Sequence, residues 1–188
     1  RQWRYWFDKE MSWLDCDRFP LYHLTSNHNT FNPAGVAVVE PLGHDRQGKR
    51  QYRQVSFREL DDDTDRIAAG LQAMGVQKGT RLVLLVRPGI DFIALVFALF
   101  KSGAVTILID PGLGRKNMVT CLHDAKPEGF VAVSIPQAIR CLLPHRFRQA
   151  RLNVTVGRRW FWTGPTLAGL RRQNHAAFPG ATTVADDS

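Results

Sequence analysis

Residues 81–109, "RLVLLVRPGIDFIALVFALFKSGAVTILI", constrain the fold of this 188-residue chain more than any other stretch. Two runs, 81–86 and 104–109, are apolar at nearly every position, without the alternation of a strand that has one wet face. Strands apolar on both sides belong inside a parallel sheet covered by helices. Between them, residues 90–102 read as a helix that is apolar on nearly every side, entered through the turn "RPG". Gly103 ends that helix, glycine being the residue that takes the left-handed conformation at no steric cost. Strand, helix and strand at this spacing make a right-handed βαβ crossover.

The signals on either side extend the same pattern. "VAVVE" and "QYRQVSF" read as a β-hairpin, with "PLGHDRQGKR" as a long charged loop between them. Phe57, Leu60, Thr64, Ile67, Leu71 and Met74 recur at steps of three and four, the stripe of an amphipathic helix. Ser56 and Glu59 have the spacing of a capping box, and Gly75 supplies the stop. Asp61, Asp62 and Asp63 put negative charge near the positive end of the helix dipole, and Asp62 can pair with Arg66 one turn on. Consecutive helical residues point in different directions, so the three aspartates read as a solvated face and not as a metal site. Downstream come a short helix at 116–124, a strand at 130–133, a helix at 136–143 and a strand at 151–157. The fold class is α/β: a mostly parallel sheet with βαβ crossovers and helices on both faces, plus an N-terminal β-hairpin. Residues 1–34 have weak periodicity and end in the loop-like "TSNHNTFNPAG", so they are expected to form an extension to a unit spanning 35–188.

The hydrophobic (44%) and charged (22%) fractions are those of an ordinary globular protein. Cys16, Cys121 and Cys141 form no C-x-x-C pair, which argues against a disulfide framework and fits a reducing compartment. His23 and His28 lie near Cys16 at a spacing that matches no common zinc module. The opening "RQWRYWFDKE" has no apolar core of a secretory signal. The longest apolar run, 92–100, falls short of the ~20 residues that cross a bilayer. The expectation is a cytoplasmic protein with no transmembrane segment. The formal net charge of +8 is uneven, because residues 129–185 contain eight arginines and no Asp or Glu. This basic stretch is expected to meet an acidic surface. Trp160, Phe161 and Trp162 within it raise nucleic acid as an alternative, but no recognition motif accompanies them, and nucleic acid is not the expected partner.

The turn "DPGLGRKN" (110–117) follows an apolar strand and precedes a helix, where a dinucleotide fingerprint would sit. Asn117 occupies the third glycine position, and no acidic residue follows about twenty residues on to take a ribose hydroxyl. Lys116 does not complete a phosphate-binding P-loop either. The turn reads as scaffold, with Asp110 and Pro111 initiating it. There is no G-x-S-x-G and no H-E-x-x-H, and Ser102 has no evident base. The residues taken alone nominate no catalytic, cofactor-binding or metal-binding position.

Two phrases then carry a resemblance. "VSFREL" (55–60) resembles the first core motif of the AMP-forming adenylating enzymes, a family of acyl-CoA synthetases, luciferases and peptide-synthetase adenylation domains. "FKSGAVTILIDP" (100–111) resembles the second, with Phe100 and Ser102 in place of the commoner Leu and Ala. "FALFKSGAV", "IDPGLGR" and "VTVGRRWFW" are more similar still to the olefin-biosynthesis branch, the β-lactone synthetases and related fatty-acid-CoA ligases. The resemblance runs from about residue 36 to 188. It implies an enzyme that uses ATP and Mg²⁺ to turn a fatty or β-hydroxy acid into an acyl-adenylate, then transfers it to CoA or closes a β-lactone. The family's phosphate loop ending in P-K-G, its later Thr-Glu pair, its ribose-binding Asp and its C-terminal Lys have no counterpart in residues 1–188. Family site residues are therefore carried over to no position, and no ATP, Mg²⁺ or CoA is expected to bind these residues alone. The implied partners are the remainder of the same enzyme and an olefin-forming assembly. The other reading is a non-catalytic α/β module that binds an acidic partner or nucleic acid through its arginine-rich face.

Overall fold

The computed structural model describes residues 32–109 and 115–172. The expectations for residues 1–31 (Cys16, His23 and His28 among them), for the turn at 110–114 and for 173–188 lie outside the described residues.

The chain begins with an antiparallel hairpin, β1 (Val36–His44) and β2 (Arg50–Ser56), in which Glu40 faces Arg53. Half of the loop expected between them is strand. Pro41 and Gly43 face Tyr52 and Gln51, and the register shift between them leaves Leu42 as the extra residue of a bulge, so β1 runs on to His44. Only 45–49 remain as the turn. Asp45 closes it, accepting hydrogen bonds from the Lys49 amide (2.8 Å), the Gln47 amide (2.9 Å) and the Gln51 side chain (2.8 Å). These bonds, that of Lys49 foremost, hold the Asp45 carboxyl below its ordinary value.

Helix α1 (Phe57–Ala73) starts as its sequence dictates. The Ser56 hydroxyl accepts from the Glu59 amide (3.3 Å), and the Glu59 carboxylate accepts from the Ser56 amide (2.8 Å). The Ser56 amide first, and then the Ser56 hydroxyl donating to the same carboxylate (2.8 Å), depress the Glu59 pKa below its ordinary 4.5. A depressed folded-state value means that the carboxylate stabilises the fold above pH 4.5, and that this contribution is lost as pH falls through the folded value. Ser56→Ala is expected to cost about 1 kcal/mol at neutral pH, and the deficit should shrink in acid. Urea melts at pH 7 and pH 3 measure both. An unchanged midpoint at pH 7 would remove the cap from the account.

The second sheet holds β3 (Arg81–Leu85), β4 (Val105–Ile107), β5 (Gly129–Val133) and β6 (Leu152–Val156), all parallel, in the order β4-β3-β5-β6. The connecting helices are α2 (Ile90–Lys101), α3 (Arg115–Asp124) and α4 (Ser134–Leu142), and α5 (Leu167–Arg172) follows β6. Alternate residues of the strands point to opposite layers. Leu82, Leu84, Val131 and Val154 pack with α1, α2 and α5, while Val83, Phe130 and Ala132 pack with Leu122 of α3 and with Phe147. The α/β class with helices on both faces is therefore the observed architecture. Gly103 has φ 74°, the left-handed stop expected after α2, and Gly75 has φ 98° after α1.

The run 104–109 does not become an interior strand. Only Val105–Ile107 are extended, they form an edge of the sheet, and Val105 and Leu108 are at least half exposed. Helix α5 was not legible in the sequence, being six residues long and containing Gly169. Inside the sheet, the buried Gln137 of α4 donates from Nε2 to the carbonyls of Phe130 and Val154 (both 3.0 Å). Its Oε1 accepts from Arg140 (2.9 Å), so each end of this buried amide has partners and α4 is pinned to β5 and β6 together.

Candidate functional site

The two crossovers around β3, from β3 to β4 and from β4 to β5, run in opposite directions across the sheet. The β3–β4 connection, α2, packs with the Leu82 and Leu84 layer, and the β4–β5 connection, α3, packs with the Val83 and Phe130 layer. β3 therefore stands between strands reached from opposite faces. In an open parallel sheet the crevice beyond the carboxyl ends of the strands at such a point is the natural place for a ligand. Here it is bordered by residues 86–89 after β3, by the start of α4 after β5, and by residues 157–162 after β6.

The two helix starts at this end differ in charge. At the start of α2, Asp91 lies in the first turn, and a Cβ on Gly89 would overlap the Glu40 carboxylate, so acidic groups already face that positive end. The first turn of α4 has no acidic residue and no side-chain cap. Its Ser134 hydroxyl donates to the Arg158 carbonyl, tying α4 to the segment after β6. That segment is anchored by Trp162, which is buried and donates from Nε1 to Thr155 Oγ1 (2.8 Å). Trp160 and Phe161 pack against Trp162 but stay exposed, as does Ile135 on α4. The crevice thus offers an uncapped helix start, Arg158, Arg159 and an apolar rim. The Ser134 hydroxyl is directed to a carbonyl and not to a base. Among the described residues no three His, Cys, Asp or Glu side chains gather to hold a metal ion.

The aspartates of α1 are not simply a solvated face. Asp62 is exposed and forms no ion pair with Arg66, but its neighbours are structural ties. The Lys101 ammonium is buried between Asp61 Oδ1 (2.6 Å) and Asp65 Oδ1 (2.5 Å). Asp63 takes a two-pronged contact from Arg171, Nε to Oδ1 at 2.8 Å and Nη2 to Oδ2 at 2.7 Å. Asp91 Oδ1 lies 2.8 Å from the same Nη2. Desolvation opposes the Arg171 charge, but Asp63 and then Asp91 outweigh it, and the guanidinium is held above its ordinary value. Only Glu59 is acidic in the first turn of α1, so these aspartates act through ion pairs more than through the helix dipole.

The basic stretch is also divided. Arg171 is spent on α1 and α2, Arg140 on Gln137 and Cys141 Sγ, and Arg159 on the Gly164 carbonyl (2.5 Å). Among the described residues, the side chains of Arg146, Arg148, Arg151, Arg158 and Arg172 have no partner. The basic face expected from 129–185 is therefore reduced in the folded protein, because Arg140 and Arg171 are committed to part-buried partners, while Arg159 stays exposed.

A family model described as AMP-binding enzyme matches residues 28–163. The olefin beta-lactone synthetase of Xanthomonas campestris pv. campestris is 40% identical over 157 residues, covering 82% of this chain and 28% of that protein. The olefin beta-lactone synthetase of Stenotrophomonas maltophilia is 46% identical over 118 residues, covering 63% of this chain and 21% of that protein. The chain spans about a quarter of the length of these relatives. Among solved structures, the luciferase-like enzyme from the nonluminescent Zophobas morio mealworm superposes with a TM-score of 0.72 at 14% identity, over 92% of this chain and 40% of that one. Among the described residues no helix is long and apolar enough to cross a membrane.

Proposed function

Because the chain belongs to the AMP-binding enzyme family, we propose that residues 35–188 form the N-terminal α/β part of an ATP-dependent, AMP-forming ligase. The ligase activates a fatty or β-hydroxy acid as its acyl-adenylate, with transfer to CoA or closure to a β-lactone as the second step. The observation that carries this reading is the likeness to two olefin beta-lactone synthetases over most of the chain. In that ligase this part supplies a wall at the carboxyl end of its parallel sheet. The exposed Trp160, Phe161 and Ile135 are the surface on which the remainder of the same enzyme packs.

The described residues do not by themselves fit a metal–nucleotide complex. No carboxylate cluster is available for a divalent cation, the α2 start is faced by Glu40 and Asp91, and no P-K-G loop occurs in the sequence. No chemical step is assigned to them. What they contribute is position: a rigid sheet whose edges and loop ends hold other groups in place, as electrostatic stabilisation of a transition state requires.

Acid-dependent exchange of labelled pyrophosphate into ATP tests the proposal. Purified residues 1–188 are expected to give none, and the same residues joined to the rest of their reading frame are expected to give exchange with fatty or β-hydroxy acids. Exchange by residues 1–188 alone would reveal a nucleotide site that the described residues do not contain. Failure of the longer protein with every acid would overturn the proposed reaction.

A further inference from the structure

At the opposite, amino-terminal end of the sheet, a cavity of about 220 Å³ opens between the end of α3 and the segment leading into β6. It is lined by His123, Lys126, His145, Arg146, Phe147 and Arg148, and by no acidic residue. His123 has a neighbour in Asp124, 3.3 Å from its Nδ1. Among the described residues, Lys126, His145, Arg146 and Arg148 have no side-chain partner. Their side chains are exposed, but the backbone that carries them is anchored. Phe147, between the two arginines, is buried edge-on against Phe130 at 5.2 Å. Ala150 is buried beyond it, and the Arg151 amide donates to the Glu128 carbonyl (2.8 Å).

Like charges brought together without a counter-charge repel one another, and an anion between them relieves that repulsion. The guanidinium fork matches the tetrahedral oxygens of phosphate, and several cations around one cavity suit a dianion better than a single carboxylate. The volume lies below the ~300–1,000 Å³ of sites that enclose a drug-sized ligand, so the group held is compact. We propose that this cavity binds a phosphate-class oxyanion, at a site separate from the carboxyl end of the sheet.

The test is an NMR titration of the 188-residue chain with inorganic phosphate and, separately, with phosphoserine, at ionic strength held constant with sodium chloride. Saturable shifts of the amides at 123–126 and 145–149 are expected with at least one of the two. Arg148→Ala is expected to weaken binding about tenfold, as the loss of a charge-assisted hydrogen bond does, with Arg146→Ala as a second variant. Arg158→Ala, at the other end of the sheet, should leave affinity unchanged. Equal affinity for both probes assigns a free phosphate ion, and a preference for phosphoserine assigns a phosphoryl group carried on a larger ligand. Shifts that never saturate, or an equal loss in Arg158→Ala, would overturn the site in favour of general charge screening. Saturation by polyglutamate with no response to either phosphate probe would overturn it in favour of an acidic protein surface.

Discussion

Gly129→Ala is expected to cost the fold about 3 kcal/mol or more. A Cβ at this position would fall on the carbonyl group of Leu152, 2.6 Å from its carbon, and 2.8 Å from Leu82 Cδ2. Gly129 pairs with Leu82 on one side and Leu152 on the other, so it sits at the start of the central strand with both neighbours fixed. A flexible side-chain end could swing away from a new methyl group, but strand backbone can yield only by separating β5 from β6. Overpacking in a closed core costs about 1–3 kcal/mol, and a clash with backbone belongs at or above the top of that range. Against a domain stability of roughly 5–15 kcal/mol, this is enough to lower soluble yield and to shift the urea midpoint far down. A midpoint equal to that of the unsubstituted protein would mean that β5 and β6 are not held together as described.

Lys101→Ala is expected to cost about 3 kcal/mol, the low end of the range for breaking a buried ion pair from one side. The low end applies because the Asp65 side chain is 41% exposed, so water partly compensates it, whereas that of Asp61 is only 13% exposed. The loss comes mainly from leaving Asp61 charged and enclosed. Removing the charges together should therefore recover stability: Lys101→Met combined with Asp61→Asn and Asp65→Asn is expected to lie well above Lys101→Ala in urea melts. If the triple variant is as unstable as Lys101→Ala, the deficit is one of packing and the ion cluster contributes nothing.

The sequence was most legible where structure is decided locally. Ser56, Glu59, Gly75 and Gly103 act over a few residues, and each does what its spacing implies. The misreadings share a cause: they depend on residues far away in the chain. An apolar run such as 104–109 looks the same whether its strand is central or at an edge, because strand order is settled by the other strands. Helical periodicity says that Asp61 and Asp63 point in different directions, but not that Lys101 and Arg171 wait there, 40 and 108 residues further on. Pro41 and Gly43 carry turn chemistry, yet they flank a bulge inside a strand. The candidate site was legible only as a location, the carboxyl ends of parallel strands. Its Trp162 anchor and the Ser134–Arg158 tie depend on the packing of α4 against β6 and left no local signal.

The link between Asp63 and Arg171 bears on the order in which this protein can be built. As the chain leaves the ribosome, α1 emerges before α2 and α5 with four aspartates, Asp61, Asp62, Asp63 and Asp65. Its first counter-charge, Lys101, arrives 40 residues after Asp61, and the second, Arg171, 108 residues after Asp63. Until α5 is made, Asp63 lacks the guanidinium that ties it to Asp91 of α2. The ion pairs that join α1 and α2 to α5 are thereby completed only with the last described element, and such long-range closure slows folding. Arg171→Ala should then slow the final step of refolding while leaving hairpin formation unaffected, a separation that stopped-flow fluorescence with a probe in each region can resolve.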